Sequence, residues 1–598
     1  MSDRPGRPRR SSTNRRTGRP VPPGGVGPSL RRTPQARPLP APGSVPTLPP
    51  RRIRAPLLAI ALVALAGVSA VASFAALNLR SSAGSSPAPS APSGSSSAST
   101  GIASPVDGGT GSPGTPASAG VSPSTPPSSN PLAAVPIVPV ADYRTTATTI
   151  AAPDVAAVLA GTSRRWKAIE LVRGESAAIV GALHIRADGA RLVTAPDAAR
   201  LMSDLAAHRD RLGFLRADEV GPGVHALGWG TRNLFGVHRL KSGAPWGLTA
   251  LLPPSGSAYD PATTWTLFAA GDLGLDRSYA NVVKVLGKGM DYPFDGGTAR
   301  ISRLVCCSPF GWKVPTIVST GHRRTMRDLI SSADLALANM EESAPDHFVF
   351  HRHGTVFTGD PAIIAGIARA GIDVASVAST HIGDGGPAGI LQTMASLRKY
   401  GITPFGAGRN LAAARQPAIF VRGGVKVAIL GYDGISSRYY GATATTIGDA
   451  PLDANYIVRD VRAARAAGAQ VVIVFPHWGI EYTFGPSTVQ QHLAHVMIDA
   501  GADLVIGNHP HWVQSVEIYK GKPIWYSLGN FTFDQTWSEP TLEGVSLELT
   551  FRGDVLAQAW MNPHILVAGV QPNLLAIDGD GQRVLGPVFR ASGKLLSW

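Results

Sequence analysis

Two histidines one residue apart, His509 and His511, follow the apolar run LVIG at 504–507. Imidazoles at i and i+2 just past a strand end can project into one cleft and seat a metal ion. A second apolar run, VVIVF at 471–475, empties into His477, with Glu481 four residues on. The ends of other apolar runs bring Asp272 after TLFAA, Asn339 and Glu341 with LALAN, His381 and Asp384 after VASVAS, and Asn530 in IWYSLGNF. A lone aspartate there is usually a cap or turn former, and a lone histidine usually bonds to backbone. Recurrence at corresponding strand ends points instead to one shared site. Carboxylates mixed with imidazoles suit Mn, Fe or Zn rather than Ca or a thiolate cluster. A bridging carboxylate lets two such ions hold a phosphoryl or carbonyl oxygen while water is activated. The expected chemistry is hydrolysis, with one or two divalent metal ions as cofactor. No nucleophile elbow or phosphate-binding loop supports a serine hydrolase or an NTP-driven ligase.

Positioning these groups requires strands that share an edge. Apolar runs beginning at 266, 335, 374, 426, 471, 504 and 524 alternate with amphipathic segments at 324–333, 361–370, 388–400, 456–467 and 487–500. Strand–helix–strand repetition implies right-handed crossovers and sheets covered by helices, with ligands gathering at the strands' carboxyl ends. Residues 141–262 differ: a helical run at 155–160, a strand-like SAAIVGALH at 176–184 and a helix near 198–209 suit a small α/β domain, to which no catalytic constellation is assigned.

The formal charge of +15 is concentrated at the N-terminus. Residues 1–54 hold 13 arginines and one acidic residue, a balance of +12, and residues 141–598 keep only +3. A near-neutral globular part does not argue for a nucleic-acid groove, and no nucleic-acid partner is expected. The basic tail precedes 55–79, APLLAIALVALAGVSAVASFAALNL, which lacks any charge. As a helix it reaches about 37 Å, enough to span a bilayer, and the arginines before it should hold that end in the cytoplasm. Residues 80–140, rich in Ser, Pro, Ala and Gly, read as a disordered tether. The expected organisation is a disordered basic cytoplasmic tail (1–54), a transmembrane helix (55–79), a tether (80–140), the small α/β domain (141–262) and a larger domain (263–598), the last two outside the cell membrane. The adjacent Cys306 and Cys307 can be thiols, a vicinal disulfide or a soft-metal site.

Taken together, GDLGLDR, ADLALANMEES, VASVASTHIGDGGPAGILQTMASLRKYGITPFGAGRN, VVIVFPHWGIEY and AGADLVIGNHPHWVQSVEIYKGKPIWYSLGNF resemble the CapA (PgsA-type) family of poly-γ-glutamate capsule synthesis proteins, over roughly 266–551. The resemblance implies a metallophosphoesterase-like αββα sandwich, two sheets between helices. It implies metal ligation by Asp272, Glu341, His477, His509 and His511. His381, with Asp384, takes the place of the histidine that steadies the transition state or protonates the leaving group. Asn339, Arg277, Glu481 and Asn530 are the candidate substrate contacts. The family's pattern has Asn before that histidine as a metal ligand, whereas this chain has Thr380. The expected partners are the bilayer, an envelope polymer such as anionic polyglutamate, and membrane synthase subunits, since the chain carries no ATP-using ligase. The alternative is a non-enzymatic accessory subunit that holds the polymer beside a synthase.

Overall fold

The computed structural model describes residues 131–186, 190–241, 243–256 and 258–596. The basic tail, the charge-free run at 55–79 and the tether up to 130 lie outside the described residues. Among the described residues no helix is long and apolar enough to cross a membrane. The tether ends earlier than its composition suggests. Ala133–Asp142 is a ten-residue strand in which Ile137, Val138 and Val140 are fully buried, so AAVPIVPV carries enough apolar surface to join a sheet despite its prolines.

That strand lies inside the small domain's sheet, paired antiparallel with Arg211–Arg216, Val224–Ala226 and Thr249–Leu252. Ala168–Val172 and Leu192–Ala195 extend the sheet in parallel. The run at 176–184 is not a strand. Ser176–Leu183 is a helix burying Ile179 and Leu183, whose i, i+4 spacing puts both on one face while alanines fill the turns. The expected helices nearby form at Ala152–Ala160 and Ala198–Ala207.

The larger domain contains two sheets face to face. In the first, of nine strands, Thr264–Leu273, Leu335–Met340, Val374–Ser376 and Thr403–Phe405 run parallel. Its other half is antiparallel, led by Glu543–Arg552 and Val555–Val567, except where Thr298–Val305 pairs in parallel with Gln571–Leu575. In the second, Val425–Asp433, Val471–His477, Leu504–Ile506 and Lys522–Trp525 are parallel, with antiparallel edges. Alternation along each strand sorts side chains between two cores. Leu267, Leu337, Val427, Ile473 and Leu504 meet between the sheets. On one outer face Phe268, Ala336 and Ala338 pack under helices Thr325–Ser332, Ile364–Ala370 and Gly386–Lys399. On the other, Ala428, Val472 and Val474 lie under Ala454–Ala466 and Thr488–Ala500. The result is four layers, helices–sheet–sheet–helices. Every central strand is covered on both faces, which is why those strands read as unbroken apolar runs.

The small domain docks on the antiparallel half. The Gly236 amide donates to Thr550 Oγ1 (2.9 Å), the Val237 amide to a Glu548 carboxylate (2.8 Å) and the Ala226 amide to Gln558 (3.0 Å). Beyond it, strands Thr298–Val305 and Val314–Gly321 form a hairpin at the sheet's edge, and in its turn Cys306 and Cys307 are bonded to each other.

Candidate metal centre

The parallel strands of both sheets deliver their carboxyl ends to one cleft. Asp272 closes Thr264–Leu273 and pairs across a backbone bridge with Asn530; Glu341 follows Leu335–Met340; His477 ends Val471–His477 and bridges to Asn508. Close approach is enforced by small residues. A side chain at Gly271 would meet the Gly529 carbonyl at 1.9 Å, and one at Gly507 the Tyr526 carbonyl at 2.2 Å. The turn that carries the paired histidines is strained. His509 (φ 96°) and His511 (φ 56°) both sit in the left-handed region, as does Tyr482 (φ 61°) against them. Non-glycine residues held there cost of order 1–3 kcal/mol and collect at functional sites.

Glu341, His509 and His511 offer ligand atoms within 4.8 Å of one another, all three side chains buried. His511 Nε2 lies 3.6 Å from Glu341 Oε1 and 3.8 Å from Glu481 Oε1. Its Nδ1–H donates to Asn530 Oδ1 (2.9 Å), and the Asn530 amide in turn donates to the Thr541 carbonyl (2.9 Å). That bond fixes the tautomer and aims the Nε2 lone pair at Glu341, the usual arrangement behind a ligating imidazole. Both Glu341 oxygens, Asp272 Oδ2 and Asn339 Oδ1 are buried without a hydrogen-bond partner. Such groups cost a folded chain about 1–3 kcal/mol each when unmatched, and together they form an acceptor-only pocket that fits a divalent cation.

The electrostatics agree with that fit. Burial, then the charges of Asp272, Glu342 and Glu481, pushes the Glu341 carboxyl well above its usual range. Burial holds His477 and His509 well below theirs, with His511 and His381 adding to the effect, so both rings are neutral and able to donate a lone pair. Glu342 is pushed up to about 8 by burial, against amide donors Leu275 and Asp276 that favour its charge. Its oxygens serve the loop after Asp272.

The five expected ligands are not equally placed. His477 is engaged at both nitrogens, with Asn339 Nδ2 3.2 Å from Nδ1 and Thr380 Oγ1 2.8 Å from Nε2. Thr380 also lies 3.5 Å from His509 Nδ1, so the hydroxyl that stands in place of an amide ties two histidines together across the sheets. Asp272 accepts from Asn339 at Oδ1 (2.8 Å) and keeps Oδ2 3.4 Å from His511 Nδ1. His381 donates from Nδ1 to Asp384 Oδ2 (2.9 Å), which also accepts from the Phe357 amide (2.8 Å). The pair is partly exposed at the cleft and leaves Nε2 for proton transfer.

Of the four expected substrate contacts, Asn339 and Asn530 are corrected by their surroundings. Both are fully buried and spend their amides on Asp272, His477, His511 and Thr541, so they position ligands instead of facing a substrate. Glu481 is half-exposed beside His511. Arg277 pairs with Asp534 and lies 4.5 Å from the Phe357 ring that also touches His381, with its Nε buried. The sequence reading missed Asn508, whose buried amide has no partner although it directly precedes His509. It also missed Tyr482, whose ring stacks 6.3 Å from His511. Asn508 lay in the same strand-end run, but Tyr482 is brought in only by its left-handed turn.

The architecture and the buried imidazole–carboxylate centre define a two-sheet α/β protein with a candidate divalent-metal site at its strand ends. Residues 266–535 match the family described as "Bacterial capsule synthesis protein PGA_cap", and this part of the chain is a CapA-family domain. It is 37% identical over 166 residues to the "PGA biosynthesis protein CapA" of Bacillus subtilis (strain 168), covering 28% of this chain and 43% of the relative. It is 28% identical over 238 residues to a "Probable polyglutamine synthesis accessory protein" of Mycobacterium tuberculosis (strain CDC 1551 / Oshkosh), covering 38% and 60%. The chain thus spans less than two thirds of either relative. Among solved structures it is similar to the NAD nucleotidase of Haemophilus influenzae, at 14% identity over 54% of this chain and 55% of that one, with a TM-score of 0.30, too low to inform function.

Proposed function

We propose that the cleft is a divalent-metal hydrolase centre acting on an envelope polymer of the poly-γ-glutamate type, in its synthesis, export or remodelling, on a phosphoester or γ-glutamyl amide bond. The observation that carries this reading is the pair of buried, unpartnered Glu341 oxygens facing two buried imidazoles, His509 and His511. Glu341, His509 and His511 would hold the first ion, and Asp272 with a reoriented His477 the second. A divalent ion there supplies Lewis acidity toward the scissile bond's oxygen and lowers the pKa of water. The chain's own residues do the rest. Asn530 keeps His511 in its ligating tautomer, and Asp384 orients His381 to give a proton to the leaving group. The fold is of the metallophosphoesterase type on this account, and 55–79 anchors the domains on the outer side of the cell membrane.

A second reading has its own support. With Thr380 holding His477 and His509, and a relative named as an accessory protein, the domain serves as a polymer-holding subunit beside a membrane synthase. One assay separates the two. The purified chain with Mn or Zn should cleave bis-p-nitrophenyl phosphate or a γ-glutamyl anilide, and His509→Ala should lose at least a hundredfold. Absence of turnover with metal bound leaves only the accessory role.

A further inference from the structure

From 296 to 327 the sequence holds six cations, Arg300, Arg303, Lys313, Arg323, Arg324 and Arg327, and no acidic residue. This excursion falls on the edge hairpin Thr298–Val305/Val314–Gly321 and the turn that follows it. One face of the hairpin is spoken for, since Ile301, Val314 and Ile317 pack on the inter-sheet core. Arg300, Arg303, Lys313 and Arg323 are exposed, and among the described residues none has a carboxylate within ion-pair distance. Among the acidic groups close in sequence, Asp328 directly follows the run and pairs with His238. Asp580 accepts from the Ile301 amide, and Asp291 and Asp295 are neutralised by Arg327, Arg369 and Arg324. At the hairpin's base lies a cavity of about 630 Å³ of mixed charge, bordered by Lys288, Arg323 and Arg324 and also by Asp291 and Asp295.

The other end of the hairpin reaches the metal cleft. Phe310 and Trp312, 70% and 45% exposed, pack on Trp537 (5.9 Å) and Trp512 (5.6 Å). Both of those rings touch Tyr482, which stacks on His511. Eight residues of strand cover about 26 Å at ~3.3 Å per residue, so a row of unpaired cations runs from Arg323 at the hairpin's base to the rim of the proposed active centre. Unpaired exposed cations contribute little to folding but attract and orient a polyanion.

We propose that this hairpin is the binding track for a linear polycarboxylate chain, which lies along Arg300 and Arg303 with the exposed Arg323 taking one end and the aromatic tip, beside Lys313, guiding the other toward the cleft. The choice of a polycarboxylate rests on the envelope-polymer reading above; the track itself rests on the charge and its placement.

The test is fluorescence anisotropy of labelled poly-γ-glutamate with the full chain in chelator, so that binding is read without turnover. Arg300→Gln/Arg303→Gln/Arg323→Gln should weaken binding at least tenfold, and raising NaCl from 50 to 300 mM should weaken the wild type comparably. The control Arg398→Gln/Arg459→Gln/Arg462→Gln removes the same charge from exposed helix positions and should change affinity less than threefold. Equal losses in the two triple variants would overturn the track, and so would tighter binding of a polyphosphate than of polyglutamate. Binding lost only in the hairpin variant, with no hydrolysis under any metal, would leave the track standing and remove the hydrolase reading alone.

Discussion

Replacing Glu341 by Gln should stabilise the metal-free protein while abolishing its response to metal. Glu341 is fully buried, both oxygens lack partners, and the charges around it are carboxylates. An acid whose folded pKa is raised contributes stability that is complete below its unfolded value, here 4.5, and is lost as pH rises toward the folded value. Between pH 4.5 and 7.5 the loss runs at about 1.4 kcal/mol per unit, or ~4 kcal/mol at most. In chelator at pH 7.5, E341Q should therefore be more stable than the wild type by about 2–4 kcal/mol, and the gap should vanish near pH 4.5. Metal at a thousandfold above its Kd adds about 4 kcal/mol to a protein that binds it only when folded. The wild type should gain that and the variant less than about 1 kcal/mol, closing the gap. Urea denaturation followed by tryptophan fluorescence, with and without chelator, measures all four values. A variant less stable than the wild type in chelator at pH 7.5, or one stabilised equally by metal, would refute the reasoning.

Asp449→Asn tests a second buried acid. Burial and then Asp433 push Asp449 up to about 9, so its stabilising contribution is lost as pH climbs from 3.8 through that value. The variant should lose less stability than the wild type between pH 5 and 8, by about 2–4 kcal/mol, read from urea midpoints; equal losses would exclude the coupling. Asn530→Ala removes the acceptor for His511 Nδ1–H and should weaken metal binding about 10–100-fold, measured by competition with a chromophoric chelator. Thr380→Asn frees His477 Nε2 and adds a neutral oxygen, so it should tighten binding of the second ion in the same titration.

The parallel strands were legible because they are covered on both sides, which leaves unbroken apolar runs such as VVIVF. Strand Glu543–Arg552 was not legible. Its SLELTF alternation suggests a solvent face, yet Ser546 and Thr550 are buried and Glu548 is partly buried, the small domain supplying amide donors to Thr550 and Glu548. The tether's end hid its strand for a related reason, since prolines at 136 and 139 look disordering until neighbouring strands cover them. At the site, strand ends announced the ligating types. The roles of Asn339 and Asn530 beneath the cleft, and of Thr380 across it, depend on which sheet faces which, and no local pattern carries that. The basic hairpin is visible as a run without acids, but its value comes from lying at a sheet edge beside the cleft.

The central claim is that the strand-end cleft holds a divalent metal. Elemental analysis of the purified chain, together with E341Q and His509→Ala prepared in parallel, tests it most directly. The account predicts one to two equivalents of Mn, Fe or Zn per wild-type chain and less than about a tenth of that in either variant; wild-type protein that stays metal-free after incubation with each ion and gel filtration would contradict it.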